Sequence, residues 1–219
     1  MKLRKFWISV VIFGIVAAIY IPTSANAAEN PFIDVSVKDA HYESIVTLIN
    51  EGIVEGTSAT TYEPYKQATR QEAALFIAKA LHLDTVNVED PGFIDVPKAS
   101  KYYGAIAALS QKGIIQGYQD GTFRPSNTLK RSQIAKMVTL GFGLQVSNNT
   151  TTPFKDVNVI NDLETRQYIQ SLIDYQITTG TTPETFSPFS PLTRGQLATF
   201  IKRALEATDG LGFQVISVE

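Results

Sequence analysis

Apolar residues fall at steps of three and four in six stretches of the chain, the period of a helix with one face on a core. Ile45, Leu48 and Ile49 mark the first stretch, and Ala73, Phe76, Ile77, Ala80 and Leu81 the second. Ile106 and Leu109 mark the third, and Ile134, Met137, Val138, Gly141 and Phe142 the fourth. The last two carry Ile169, Leu172 and Ile173, then Leu197, Phe200, Ile201, Ala204 and Leu205. Short and long stripes alternate, so the pattern is one helix-loop-helix unit written three times.

Sequence identity between the units supports this. Phe32-Ile33-Asp34-Val35 returns as Phe93-Ile94-Asp95-Val96 and as Phe154-Lys155-Asp156-Val157, 61 residues apart each time. Two residues inserted before Ile169 lengthen the later period to 63. Ile53 and Gly56 match Ile114 and Gly117, then Ile177 and Gly180. Tyr62-Glu63-Pro64 matches Phe123-Arg124-Pro125 and Phe186-Ser187-Pro188, and Arg70 matches Arg131 and Arg194. Repeats of this length mean stacked units rather than one irregular domain.

Gly52 and Gly113 follow the first helix of their copies, where glycine accepts the left-handed turn that ends a helix. Gln176 stands there in the third copy, which predicts a different ending. A loop of about 11 residues joins the helices, with Asp120-Gly121 set for a tight turn in copy two. The aromatic at Tyr62, Phe123 or Phe186 is expected to pin that loop to the helices. A two-helix unit of about 50 residues has a thin core, so the three copies are expected to pack as one all-α body. The boundaries read as 30–83, 91–145 and 152–207, with a tail at 208–219 that belongs to no repeat.

The start of the chain is different in kind. Lys2, Arg4 and Lys5 precede an apolar run over 6–21, then Pro22, then Ala25-Asn26-Ala27. This is the three-part pattern of an export signal, with cleavage expected after Ala27. The run is shorter than the ~20 apolar residues of a spanning helix, so residues 1–27 predict secretion and no membrane attachment after cleavage. Removing the three cations of this leader from 19 leaves 16 against 21 acids, a net charge of −5. Such a chain does not bind nucleic acid or any anionic polymer by bulk charge. It has no cysteine, which excludes disulfides and thiolate metal sites. His41 and His82 are the only histidines, have no counterparts in other copies, and read as ordinary surface or core residues. No catalytic, metal-binding or cofactor-binding motif is present, so no activity, metal or cofactor is expected.

Candidate chemistry lies at the start of each second helix. Thr69-Arg70-Gln71-Glu72 fits the capping box, Thr193-Arg194-Gly195-Gln196 fits its Gln form, and Lys130-Arg131-Ser132-Gln133 breaks it. The first helical residue is arginine in all three. The helix N-terminus already carries about half a positive charge, so a cation there costs a few tenths of a kcal/mol. Either an internal carboxylate neutralises each arginine, with Asp34, Asp95 and Asp156 as candidates, or the guanidinium and free N–H groups of the helix end await an external anion. The two readings are compatible.

Phe-x-Asp-Val, Gly-Ile-x-x-Gly, Asp-Gly-Thr-Phe-x-Pro and Thr-Arg-x-Glu/Gln together resemble the S-layer homology (SLH) domain, in three tandem repeats over about residues 30–207. The resemblance implies a pseudo-threefold prism with grooves between repeats. It implies non-covalent attachment to the bacterial wall, at the cell surface in the S-layer zone, by binding a secondary cell-wall polysaccharide that often carries a pyruvylated sugar. It implies that Arg70, Arg131 and Arg194, Asp34, Asp95 and Asp156, and Gly56, Gly117 and Gly180 line the grooves. Many relatives carry a tryptophan near the start of the first helix. Here that neighbourhood holds His41 and Tyr42 in copy one and Tyr102 and Tyr103 in copy two, aromatics that could stack on a sugar ring. Copy three has Glu164-Thr165 there. Two other readings stay open: a surface adaptor or assembly protein meeting an unknown protein partner, and a wall-active hydrolase.

Overall fold

The computed structural model describes residues 29–209. The predicted leader over 1–27 lies outside them, and so does the tail from 210 onward. Among the described residues seven helices form: α1 Tyr42–Asn50, α2 Arg70–Ala80, α3 Tyr103–Gln111, α4 Arg131–Gly141, α5 Lys155–Asn158, α6 Leu163–Asp174 and α7 Arg194–Asp209. Six of them are the predicted pairs. The seventh, α5, is a single turn over Asp156 in the third copy.

The first helices end alike in all three copies. Gly52 and Gly113 have φ of 71° and 68°, and Gln176 adopts 57°. Ile53, Ile114 and Ile177 each donate a backbone bond to Leu48, Leu109 and Leu172, at 2.9, 3.0 and 2.8 Å. The different ending expected at Gln176 is therefore corrected. The left-handed state costs a non-glycine residue roughly 1–2 kcal/mol, and the closing bonds with the buried Ile177 behind them hold it.

The first helix of each repeat does not pack on the second helix of the same repeat. α1 packs on α7, α3 on α2 and α6 on α4. Each first helix thus lies on the second helix of the repeat before it, and the first repeat lies on the last. The three second helices, α2, α4 and α7, meet one another at the centre. Their buried stripes, with Phe76, Ile77, Ile134, Val138, Ile201 and Leu197, belong to one continuous core.

A ring of three backbone hydrogen bonds closes the same cycle. Ala68 donates to Leu192, Leu192 to Leu129, and Leu129 to Ala68, each at 2.8 Å. All three residues are fully buried, where an unpaired peptide group would be costly. Isolated antiparallel bridges at Gln67–Thr193, Thr69–Thr128 and Lys130–Pro191 surround the ring.

Candidate functional site

One aromatic peptide per repeat joins the repeated Asp to the repeated Arg. The Asp34 carboxylate accepts the N–H groups of Tyr62 and Glu63 at 2.9 and 2.7 Å. Asp95 accepts those of Phe123 and Arg124, both at 2.7 Å, and Asp156 those of Phe186 and Ser187 at 3.0 and 2.7 Å. The second residue of each pair is held left-handed, with φ of 58°, 59° and 59° at Glu63, Arg124 and Ser187. This turn points the aromatic carbonyl away from the aspartate and toward the preceding repeat. There it meets arginine Nε: Arg70 donates to Phe123 at 2.9 Å, Arg131 to Phe186 at 2.7 Å, and Arg194 to Tyr62 at 2.8 Å. Each guanidinium also lies over the ring of its aromatic partner, at 4.4, 4.7 and 4.6 Å from the centroid.

The direct Asp–Arg pair offered by the sequence does not form at any of the three stations. The carboxylate and the guanidinium hold opposite ends of one aromatic residue instead. The helix-end N–H groups are not free either. Arg70 and Gln71 donate theirs to Asn127 and Pro125, Arg131 and Ser132 to Ser190 and Pro188, and Arg194 and Gly195 to Lys66 and Pro64. The loop of the next repeat takes the place anticipated for an external anion.

The arginines are also deeper than expected for cleft-facing cations, with 8 %, 4 % and 2 % of Arg70, Arg131 and Arg194 exposed. What differs between them is how their terminal nitrogens are used. Arg194 gives Nη1 to the Glu72 carboxylate and Nη2 to the Glu55 carbonyl at 2.7 Å. Arg70 gives Nη2 to the Gln116 carbonyl at 3.3 Å. Arg131 has no partner for either terminal nitrogen among the described residues, and neither it nor Arg70 is paired with a carboxylate there. Burial pulls the pKa of Arg70 and Arg131 below the usual arginine value, and the nearby charges of Asp95 and Asp156 oppose the shift without reversing it.

Both of these arginines line clefts built from all three repeats. The Arg131 cleft, of about 470 Å³, takes Thr179, Gly180, Gln196 and Thr199 from repeat three and His41 from repeat one. The smaller Arg70 cleft, about 180 Å³, takes Gln116, Gln133 and Lys136 from repeat two and Thr165 from repeat three. No carboxylate lines either cleft.

The other expected site residues are dispersed. Gly56 and Gly117 sit under the aromatic rings: a Cβ would lie 2.6 Å from Phe32 at Gly56 and 2.3 Å from Phe93 at Gly117. Their immediate work is packing, while Gly180 also lines the Arg131 cleft. Tyr42, Tyr102 and Tyr103 line neither arginine cleft. Tyr42 and Tyr102 pack half-buried against the core, and Tyr103 borders a separate cleft with Leu75 and Lys98.

Sequence reasoning missed Tyr118 beside Arg70, and it placed His41 only among the aromatics near the start of the first helix. Tyr118 stands next to Arg70, with its ring 5.2 Å from that guanidinium and 3.9 Å from the Arg124 guanidinium. His41 lies against Gly195, where a Cβ would come within 2.7 Å of the imidazole. The glycine of Thr193-Arg194-Gly195-Gln196, which has no counterpart in the other copies, was the available signal for that close approach.

The fold is three interlocked helical repeats with clefts between them. The family model for the S-layer homology domain matches residues 31–74, 92–135 and 153–198, and the chain belongs to that family. It is 28 % identical over 211 residues to the surface-layer 125 kDa protein of Lysinibacillus sphaericus, covering 95 % of this chain and 17 % of that protein. It is 31 % identical over 192 residues to an S-layer protein of Bacillus thuringiensis subsp. finitimus, covering 87 % and 23 %. It is 27 % identical over 161 residues to the cellulosome-anchoring protein of Acetivibrio thermocellus, covering 70 % and 35 %. The chain thus spans a minor part of the length of these relatives. Family and relatives place it at the cell surface, in association with the wall. Among the described residues no helix is long and apolar enough to cross a membrane.

Proposed function

We propose that the chain attaches to the wall by binding an anionic secondary cell-wall polysaccharide in its inter-repeat clefts, with no catalysis of its own. The observation that carries this reading is the pair of largely buried guanidiniums, Arg131 and Arg70, that border clefts and are bonded to no internal carboxylate. A buried cation with no directly bonded counter-ion is unfavourable, and a ligand carboxylate in the cleft would relieve it. The planar fork of arginine suits a carboxylate such as a pyruvate ketal.

In this reading Asp95 and Asp156 act behind the arginines. They fix the turn whose carbonyl orients Arg70 Nε and Arg131 Nε. With the leader removed the chain is net acidic, so long-range attraction does not assist. Charge-assisted hydrogen bonds of about 1.5–3 kcal/mol each do the binding, and two clefts on one body add avidity.

The test is sedimentation of the purified protein with isolated walls, before and after chemical extraction of the non-peptidoglycan polymer. Binding is expected to disappear with the polymer. Arg131→Lys should also weaken binding by tenfold or more, since lysine keeps the charge but lacks the fork. Undiminished binding to extracted walls would overturn the reading. A zymogram on whole walls would expose hydrolase activity if there were any.

A further inference from the structure

The three arginine stations are equivalent in geometry but not in occupancy, and the difference maps to one position. Four residues make up each second-helix start, and the last of them is Glu72, Gln133 or Gln196. The interlocked packing brings that residue beside the arginine of the preceding repeat: Glu72 beside Arg194, Gln133 in the cleft of Arg70, Gln196 in the cleft of Arg131. Only the glutamate can satisfy a guanidinium with charge. Glu72 does so with one oxygen while its other oxygen accepts the Thr69 N–H at 2.8 Å.

We infer that Glu72 is a built-in ligand, a carboxylate of the protein that occupies the third anion site and makes the Arg194 station a lock between the last repeat and the first. The Arg131 and Arg70 clefts are left for external carboxylates. The inference rests on the anion-binding reading above and makes it specific: two working clefts, with the Glu/Gln choice at this helix position deciding which. Further details agree with it. Arg194 has all three kinds of nitrogen engaged, Arg70 two, and Arg131 one. A second acid, Glu55, stands at the Arg194 station, and its carboxylate binds Lys79 at 3.4 Å and also Lys101. The cations around that station are therefore matched internally, whereas the Arg131 cleft gathers His41 and Arg203 with no acid in its lining.

The exchange is testable because glutamine at this position is compatible with the fold. Gln133 and Gln196 each accept the N–H of the capping residue, Lys130 at 3.0 Å and Thr193 at 3.1 Å, as Glu72 does. Glu72→Gln therefore keeps the cap and removes the charge, and Gln196→Glu does the converse in the Arg131 cleft.

The experiment follows the Nε–Hε signals of the three arginines by ¹⁵N NMR during titration with the pyruvate ketal of a methyl hexopyranoside. In the parent, Arg131 and Arg70 should shift and Arg194 should stay still. In Glu72→Gln, Arg194 should begin to respond. In Gln196→Glu, the Arg131 response should be lost while that of Arg70 persists. Arg194 responding in the parent as strongly as Arg131, or staying silent in a folded Glu72→Gln protein, would overturn the built-in ligand while leaving the anion-binding reading intact. Silence of every arginine in every variant would overturn the anion-binding reading, and the inference with it.

Discussion

Around its axis the molecule treats the three repeats as interchangeable, and in its outer clefts it does not. The axial ring of Ala68, Leu129 and Leu192 uses bonds of one length in all three places. The aspartate turns and the arginine Nε bonds are likewise repeated with small variation. In the clefts the same frame carries His41 or Thr165, Gln196 or Gln133, and a 470 Å³ or a 180 Å³ space. Positions that hold the repeats together must satisfy the same peptide groups three times, so they repeat. Cleft positions meet solvent or ligand, and each is free to differ.

The interlock makes the strongest prediction from this contrast. Since each first helix lies on another repeat, no repeat has a core of its own to unfold with. Phe123 is buried against Phe93, 5.4 Å between ring centroids, and under the Arg70 guanidinium. Phe123→Ala should therefore lower the stability of the whole body by about 3–5 kcal/mol. Urea denaturation should still show one transition, shifted to lower midpoint, by both circular dichroism and tyrosine fluorescence. A separate early transition confined to one repeat would break the comparison, since the axis would then not bind the repeats into one unit.

A smaller effect separates the stations. Arg131→Ala and Arg194→Ala both lose an Nε bond and a stack on an aromatic ring. Only the second strands a carboxylate, Glu72, whose side chain is 15 % exposed. Arg194→Ala should cost about 1.5–3 kcal/mol more than Arg131→Ala, the range of one hydrogen bond to a charged group. Pairing each with Glu72→Gln in a double-mutant cycle should show coupling for Arg194 and none for Arg131. Equal costs and equal coupling would remove the distinction between a lock and an open cleft.

Helix positions, the apolar stripes and the aromatic that pins the loop were legible because each depends on local spacing. The identity of packing partners was not. Three near-identical stripes look the same whether α3 lies on α4 or, as found, on α2, so nothing in the periodicity distinguishes the two. The Asp–Arg relation was half legible. Both residues recur, and they do act together, but through a peptide group between them. A carboxylate with two good N–H donors has no need of the guanidinium, and the side-chain pattern does not reveal a backbone intermediary. The Glu72, Gln133 and Gln196 difference was visible, yet capping explains either residue equally well. Its second role emerges only once the preceding repeat's arginine is alongside.

The gentlest way to sharpen the comparison is acid, because the Arg131 cleft holds a histidine where its equivalents have none. His41 Nδ1 lies 2.8 Å from the Thr199 hydroxyl, and that hydroxyl donates to the Gly195 carbonyl at 3.1 Å. Burial pushes the His41 pKa down, Arg203 on α7 pushes it further, and Asp39 opposes them. The other charged groups nearby are Arg131, which lines the same cleft, and Glu43, which is paired with Lys202 at 3.3 Å. A histidine with a depressed pKa binds its proton more readily when unfolded. Stability is therefore undisturbed well above pH 6.5, the ordinary histidine value, and falls as pH drops through it, because the unfolded chain then binds more protons. Ligand binding should run the other way. An anion beside Arg131 favours the imidazolium, so affinity for walls should rise over the pH range in which stability declines. Urea midpoints and wall sedimentation measured from pH 7.5 to 5.5 should show these opposed trends in the parent, and His41→Gln should flatten both. Parallel trends, or a His41→Gln protein that follows the parent, would place the proton-sensitive group elsewhere in the molecule.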